Sequence, residues 1–169
     1  MLGVYDNFPN AVHNITDFST TIPSKRLQIA LVEALYKLNN QTLTLEEAAT
    51  PSIPECRVNF EFGIAEGCEF SYIDGEERQK IRKTIEKKPF LTLDFLCFIL
   101  YHKLKDTKKT TLKSDRYIVR FIFYQSLLQM QIFHEKGLMY VSPKDLPEFF
   151  AKKISAESSK RALKLQEEP

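Results

Sequence analysis

From Arg57 to Phe62 every second residue is apolar: Val58, Phe60 and Phe62 alternate with Arg57, Asn59 and Glu61. The same period returns downstream, where Tyr117, Val119, Phe121 and Phe123 form one row, Ile118 and Ile122 the other, with Arg120 between them. Side chains of an extended chain point to alternate faces, so a period of two describes a strand with one face buried. Upstream the period is different. Leu27, Leu31, Ala34, Leu35 and Leu38 share one helical stripe, which predicts a helix over Ser24–Leu38 with Ser24 as its N-cap and Pro23 just outside. A chain that changes from a 3.6 period to a period of two within one stretch is constrained to an α+β fold.

The remaining elements follow from punctuation. Thr44–Glu47 has capping-box spacing, and Pro51 and Pro54 keep that helix short. Gly63–Gly67 reads as a hairpin loop, with Cys68, Phe70 and Tyr72 on one face of the returning strand. Asp74–Glu77 opens a second helix with Ile81 and Ile85 inward, stopped by Pro89. Phe90–Leu104 suits either a capped helix or a strand buried on both faces, and its aromatic and Ile content favours the strand. Leu127–His134 is the expected hairpin partner of Arg116–Tyr124, with a further short strand at Leu138–Val141. Asp145 caps a last helix that turns Phe149, Phe150 and Ile154 inward. The expected architecture is an antiparallel β-sheet of about five to six strands, in hairpin–helix–meander–helix order, packed on one face by helices. It forms a single domain over 1–155, with 1–23 an extended N-terminal arm and 156–169 a flexible charged tail.

Composition removes several function classes. Only five Gly are present, and neither GxGxxG nor GxxxxGK[ST] occurs, so no glycine-rich phosphate loop is expected. Three cysteines without a CxxC argue against a disulfide framework or a zinc ribbon. The histidines, His13, His102 and His134, are far apart and form no HExxH. No apolar run approaches the ~20 residues that span a bilayer, and no secretory leader is evident. These features give the expectation of a cytoplasmic protein with reduced thiols, no cofactor, no bound metal and no membrane partner.

Net charge is +2, yet it is unevenly distributed. Glu33–Glu77 carries ten acidic against two basic residues; Arg78–Arg116 carries twelve basic against four acidic. The most charged short stretch is KLKDTKKTTLKSDR, Lys103–Arg116. As the connection between two strands, Lys105–Asp115 is longer than a hairpin needs, and long connections tend to be functional. Lys105, Lys108, Lys109, Lys113 and Arg116 suit phosphate or an acidic partner surface, with Thr107, Thr110, Thr111 and Ser114 as hydrogen-bond donors. Against this stands a solvated loop, favoured by the absence of any aromatic residue in it on which a base could stack.

Other candidates are weaker. Glu61, Glu66, Glu69, Asp74 and Asp94 offer carboxylates, but Glu61 and Glu69 fall on the expected solvent face. Cys97 sits in an apolar run and reads as a small hydrophobe rather than a nucleophile. The expected function is a non-catalytic interaction or assembly domain, with a protein partner or self-association, whose basic loop contacts nucleic acid or an acidic surface. The alternative is a small enzyme or small-molecule binder with a cavity between sheet and helices, using His102 or His134.

Overall fold

The computed structural model describes residues 1–49, 56–103, 111–158 and 163–165. The fold is α+β: one antiparallel sheet of eight strands with three helices. In chain order the elements are β1 (Asn14–Ser19), α1 (Ser24–Leu38), β2 (Thr42–Thr44), β3 (Cys56–Glu66), β4 (Glu69–Tyr72), α2 (Gly75–Lys87), β5 (Thr92–Lys103), β6 (Thr111–Tyr124), β7 (Leu127–Gly137), α3 (Leu146–Glu157) and β8 (Lys164–Leu165). The strands lie in the order β2-β3-β5-β6-β7-β1-β8, and β4 also pairs with β3. Among the described residues no helix is long and apolar enough to cross a membrane.

The alternating rows behave as their period dictates. Phe60 and Phe62 of β3, Phe95 and Cys97 of β5, Tyr117 and Phe121 of β6, and Met130 and Ile132 of β7 are all buried in one core. Rings stitch this face to α3, with centroids 5.2 Å apart for Phe60–Phe149, 5.9 Å for Phe62–Phe150 and 6.1 Å for Phe121–Phe150. Phe133, one residue out of phase, faces the other way and stacks on His13 at 4.9 Å.

Buried polar side chains fix the helices where ladders leave gaps. The Gln28 side chain, fully buried on α1, accepts from Phe90 N–H at 2.9 Å and donates to the Phe90 carbonyl at 2.8 Å. It thereby anchors the helix to the entrance of β5. One edge of β3 pairs with β2 over Arg57–Asn59 and with β4 from Gly63 onward. Asn39 fills the interval between them, its Oδ1 accepting from Phe62 N–H at 2.7 Å, so that this donor is not orphaned.

Several boundaries differ from the sequence expectation. The sheet has eight strands, not five or six, because short edge strands form at residues whose periodicity is too brief to read. Asn14–Ser19, read as part of an arm, pairs with β7, and Lys164–Leu165, read as tail, pairs with Phe18 and Ser19. Phe90–Leu104 is resolved as strand β5 over Thr92–Lys103. β3 continues through Gly63 to Glu66, so the hairpin turns at Gly67 and Cys68, with Gly67 at φ +65°. Leu138–Val141 is not a strand: it is part of the connection into α3. Ser24 is the first helical residue rather than the cap; its hydroxyl receives Gln28 Nε2 instead. Asp145 makes no capping hydrogen bond, whereas Asp74 does accept from Glu77 N–H at 2.8 Å.

Candidate functional site

β6 begins at Thr111, so Lys113 and Arg116 stand on a strand rather than in a loop. The connection between β5 and β6 shrinks to 104–110. Lys105, Lys108 and Lys109 fall in it and lie outside the described residues. Lys113 is exposed, opposite Tyr101 on β5. Arg116 lies between Phe98 of β5 and Lys136 of β7, on the face of the sheet away from α1 and α3. Alternation then sends Asp115 into the core.

There Asp115 is the centre of a closed network. Its side chain is fully buried. Oδ1 accepts from His134 Nε2 at 2.8 Å and from Met139 N–H at 2.7 Å. Oδ2 accepts from the Tyr101 hydroxyl at 2.5 Å and from Tyr140 N–H at 2.9 Å. The Tyr117 hydroxyl donates to the Val141 carbonyl. A β-bulge makes this convergence possible. Tyr117 faces His134 while Arg116 faces Lys136, so Glu135 is an extra residue on β7 that brings the histidine over the carboxylate. Gly137, at φ +117°, completes it: a Cβ there would overlap Asp115 Oδ1 and the Ser114 carbonyl oxygen.

The chemistry of this network is that of a pin, not of a nucleophile. Burial pushes the Tyr101 hydroxyl far above its ordinary range, and its hydrogen bond to the Asp115 carboxylate pushes the same way. Burial, with the Asp115 charge next, also raises Tyr117. Cys97, opposite Tyr117, is held well above the usual thiol range by burial and by the Asp115 charge. A reactive cysteine needs the reverse environment, one that favours the thiolate. His134, a candidate for the interior cavity, spends Nε2 on Asp115, and its side chain is only 10% exposed. His102 is not interior: it lies opposite Arg57 on the outer rows, with Nδ1 buried and without a hydrogen-bond partner.

The face opposite the helices is the second feature. The arm crosses one end of it. Gly3 donates to the Ala65 carbonyl at 2.7 Å and accepts from Asp94 N–H at 2.7 Å. Asp94, fully buried, accepts from Tyr5 N–H at 2.7 Å and holds Arg120 through two bonds of 2.7 and 2.8 Å. Phe8 covers the guanidinium, 3.9 Å from the ring centroid. The rest of this face carries a hollow of about 270 Å³ lined by Phe70, Tyr72, Leu96, Phe98, Glu61 and Arg116. Its floor is Gly63, opposite Tyr72 in the β3–β4 ladder.

No family model, curated protein or solved structure matches this chain.

The charge asymmetry is partly cancelled inside the fold. Glu33 of the acidic segment lies 3.3 Å from Arg78 and 3.8 Å from Arg82 of the basic one. Among the carboxylates Glu61, Glu66, Glu69, Asp74 and Asp94, Asp94 is committed to Arg120 and Asp74 to the α2 N-terminus. Among the described residues no group of three or more His, Cys, Asp or Glu side chains is arranged to hold a metal ion. At the basic end, by contrast, Asp115 is turned inward. Of the two acids in Lys103–Arg116, Asp115 is thus committed to the interior.

Sequence reasoning missed both Asp115 and the aromatic hollow. The signal for Asp115 was present: it is in phase with Tyr117, Val119 and Phe121, the row that alternation buries. The signal for the hollow was not, because it depends on which strands become neighbours.

Proposed function

We propose that the chain is a non-catalytic interaction domain that binds single-stranded nucleic acid along the β5–β6 end of its open sheet face. One observation carries this reading: α1 and α3 pack on one face of the sheet, and Arg116 stands on the other, in the same basic stretch of sequence as Lys105, Lys108 and Lys109. Arg57, opposite His102, extends the basic character along the same face. Arg116 Nε is buried and ion-pairs with Glu135 Oε1 at 3.2 Å, while the side chain as a whole is 38% exposed, so contact with a phosphate falls to the outer guanidinium nitrogens. The open face also supplies the aromatic rings that the basic stretch lacks.

The test is fluorescence anisotropy with a labelled single strand, comparing the wild type with a variant in which Lys105, Lys108, Lys109 and Arg116 are changed to Glu. Wild-type binding that the variant loses supports the reading. Equal binding by both proteins overturns it.

A further inference from the structure

We infer that the hollow over Gly63 is a base-stacking subsite, in which a nucleobase of the bound strand rests against Tyr72 and Phe98. The inference rests on the nucleic-acid reading and specifies its ligand: a strand with unpaired bases, rather than a polyanion in general.

Three observations converge on this site. The first is shape. Tyr72 on β4 and Leu96 on β5 flank β3 at Gly63, about 9.6 Å apart, two strand spacings, and Phe98 lies two residues along β5, across from Glu61. Gly63 puts no side chain between them. A Cβ at Gly63 would come within 3.1 Å of Phe70 Cβ and 3.3 Å of the Ser71 carbonyl oxygen, so a side chain there would crowd the Phe70 wall. Its volume, about 270 Å³, is just below that of ligand pockets, which run from roughly 300 to 1,000 Å³, and suits no more than one ring system.

The second is ring availability. Tyr5 packs against Phe70 at 4.7 Å and braces that wall. Tyr72 is 50% exposed, and Phe98 is partly exposed on a face that ordinary packing would fill. Exposed aromatic rings on an open sheet are the platforms on which unpaired bases stack.

The third is the polar setting. Glu61, Phe98 and Arg116 stand directly across from one another on β3, β5 and β6. A ring stacked on Phe98 thus has an acceptor-only carboxylate on one side and a donor-only guanidinium on the other. Base edges carry both donors and acceptors, whereas a phosphodiester backbone carries acceptors alone. Arg116 also belongs to the basic end, so one residue joins phosphate contact to base contact.

The experiment compares two probes of the same length, about twelve nucleotides to cover a single-domain site. One is a labelled single-stranded DNA; the other is the same phosphodiester with abasic sugars throughout. Each is titrated against the wild type, Tyr72→Ala and Tyr72→Phe, with circular dichroism to verify that both variants fold. The wild type should bind the base-bearing strand about tenfold or more tightly than the abasic one. Tyr72→Ala should remove most of that ratio and leave abasic binding unchanged, and Tyr72→Phe should retain the ratio. If the wild type binds both probes equally, the stacking subsite is overturned while polyanion binding stands. If it binds neither, the nucleic-acid reading fails and the subsite with it.

Discussion

Replacing Asp115 with Asn changes one atom, and the structure fixes what that atom meets. Each carboxylate oxygen accepts two hydrogen bonds, one from a side chain and one from a backbone N–H. The side-chain partners can adapt: the Tyr101 hydroxyl can rotate, and His134 can present a lone pair at Nε2 by changing tautomer. The backbone partners cannot. Whichever oxygen becomes the amide, an NH₂ group faces Met139 N–H or Tyr140 N–H, donor against donor. An orphaned buried donor costs about 1–3 kcal/mol, and the loss of charge from the remaining bonds costs a similar amount. The sum, about 2–6 kcal/mol, brackets the ~3–5 kcal/mol penalty for breaking a buried charged pair. It is a large part of the ~5–15 kcal/mol by which domains are stable. Urea titration followed by circular dichroism measures it as a fall in midpoint at constant slope. A loss below about 1 kcal/mol would refute the reasoning, since it would mean that the site relaxes or that Asp115 is not a charged acceptor.

Three further outcomes follow from the same contacts. Tyr101 and Tyr117 hold their protons above the ordinary range, so folding stability is complete below the unfolded tyrosine value near 10 and falls as pH rises beyond it. In an alkaline titration read by tyrosinate absorbance, these two of the seven tyrosines should ionise only as circular dichroism shows unfolding. Gly137→Ala should destabilise by about 3 kcal/mol or more, through backbone strain and overlap with Asp115, measured as a lowered denaturation midpoint. Arg120→Ala leaves the buried Asp94 carboxylate without its cation. It should cost about 2–4 kcal/mol and speed amide exchange at Tyr5, whose N–H depends on that carboxylate.

The parts of the fold that were legible are those with enough residues to show a period. Ser24–Leu38 shows four turns of one stripe and is α1 with those bounds. Arg57–Phe62 and Tyr117–Phe123 show alternation, and their apolar rows are buried as the period requires. What stayed hidden is non-local. Asn14–Ser19 has no clean alternation because it lies between β7 and the two residues of β8, and its strand character comes from those partners. Phe133 is as apolar as Phe121 and Phe123, yet its phase on β7 puts it on the opposite face with His13. The hydrogen bonds of Asp115 come from β5, β7 and the chain after Gly137, which no spacing along the sequence reveals. The hollow over Gly63 likewise exists only once β4, β3 and β5 are side by side.

The central claim is electrostatic contact between the basic end of the open face and the phosphates of a single strand. It is tested most directly by the salt dependence of wild-type binding. For single strands the logarithm of the binding constant falls with the logarithm of salt concentration by about 0.7 for each phosphate neutralised. Engagement of three to four of Lys105, Lys108, Lys109 and Arg116 predicts a slope of about −2 to −3. A slope near zero, or no binding even at low salt, would contradict the account.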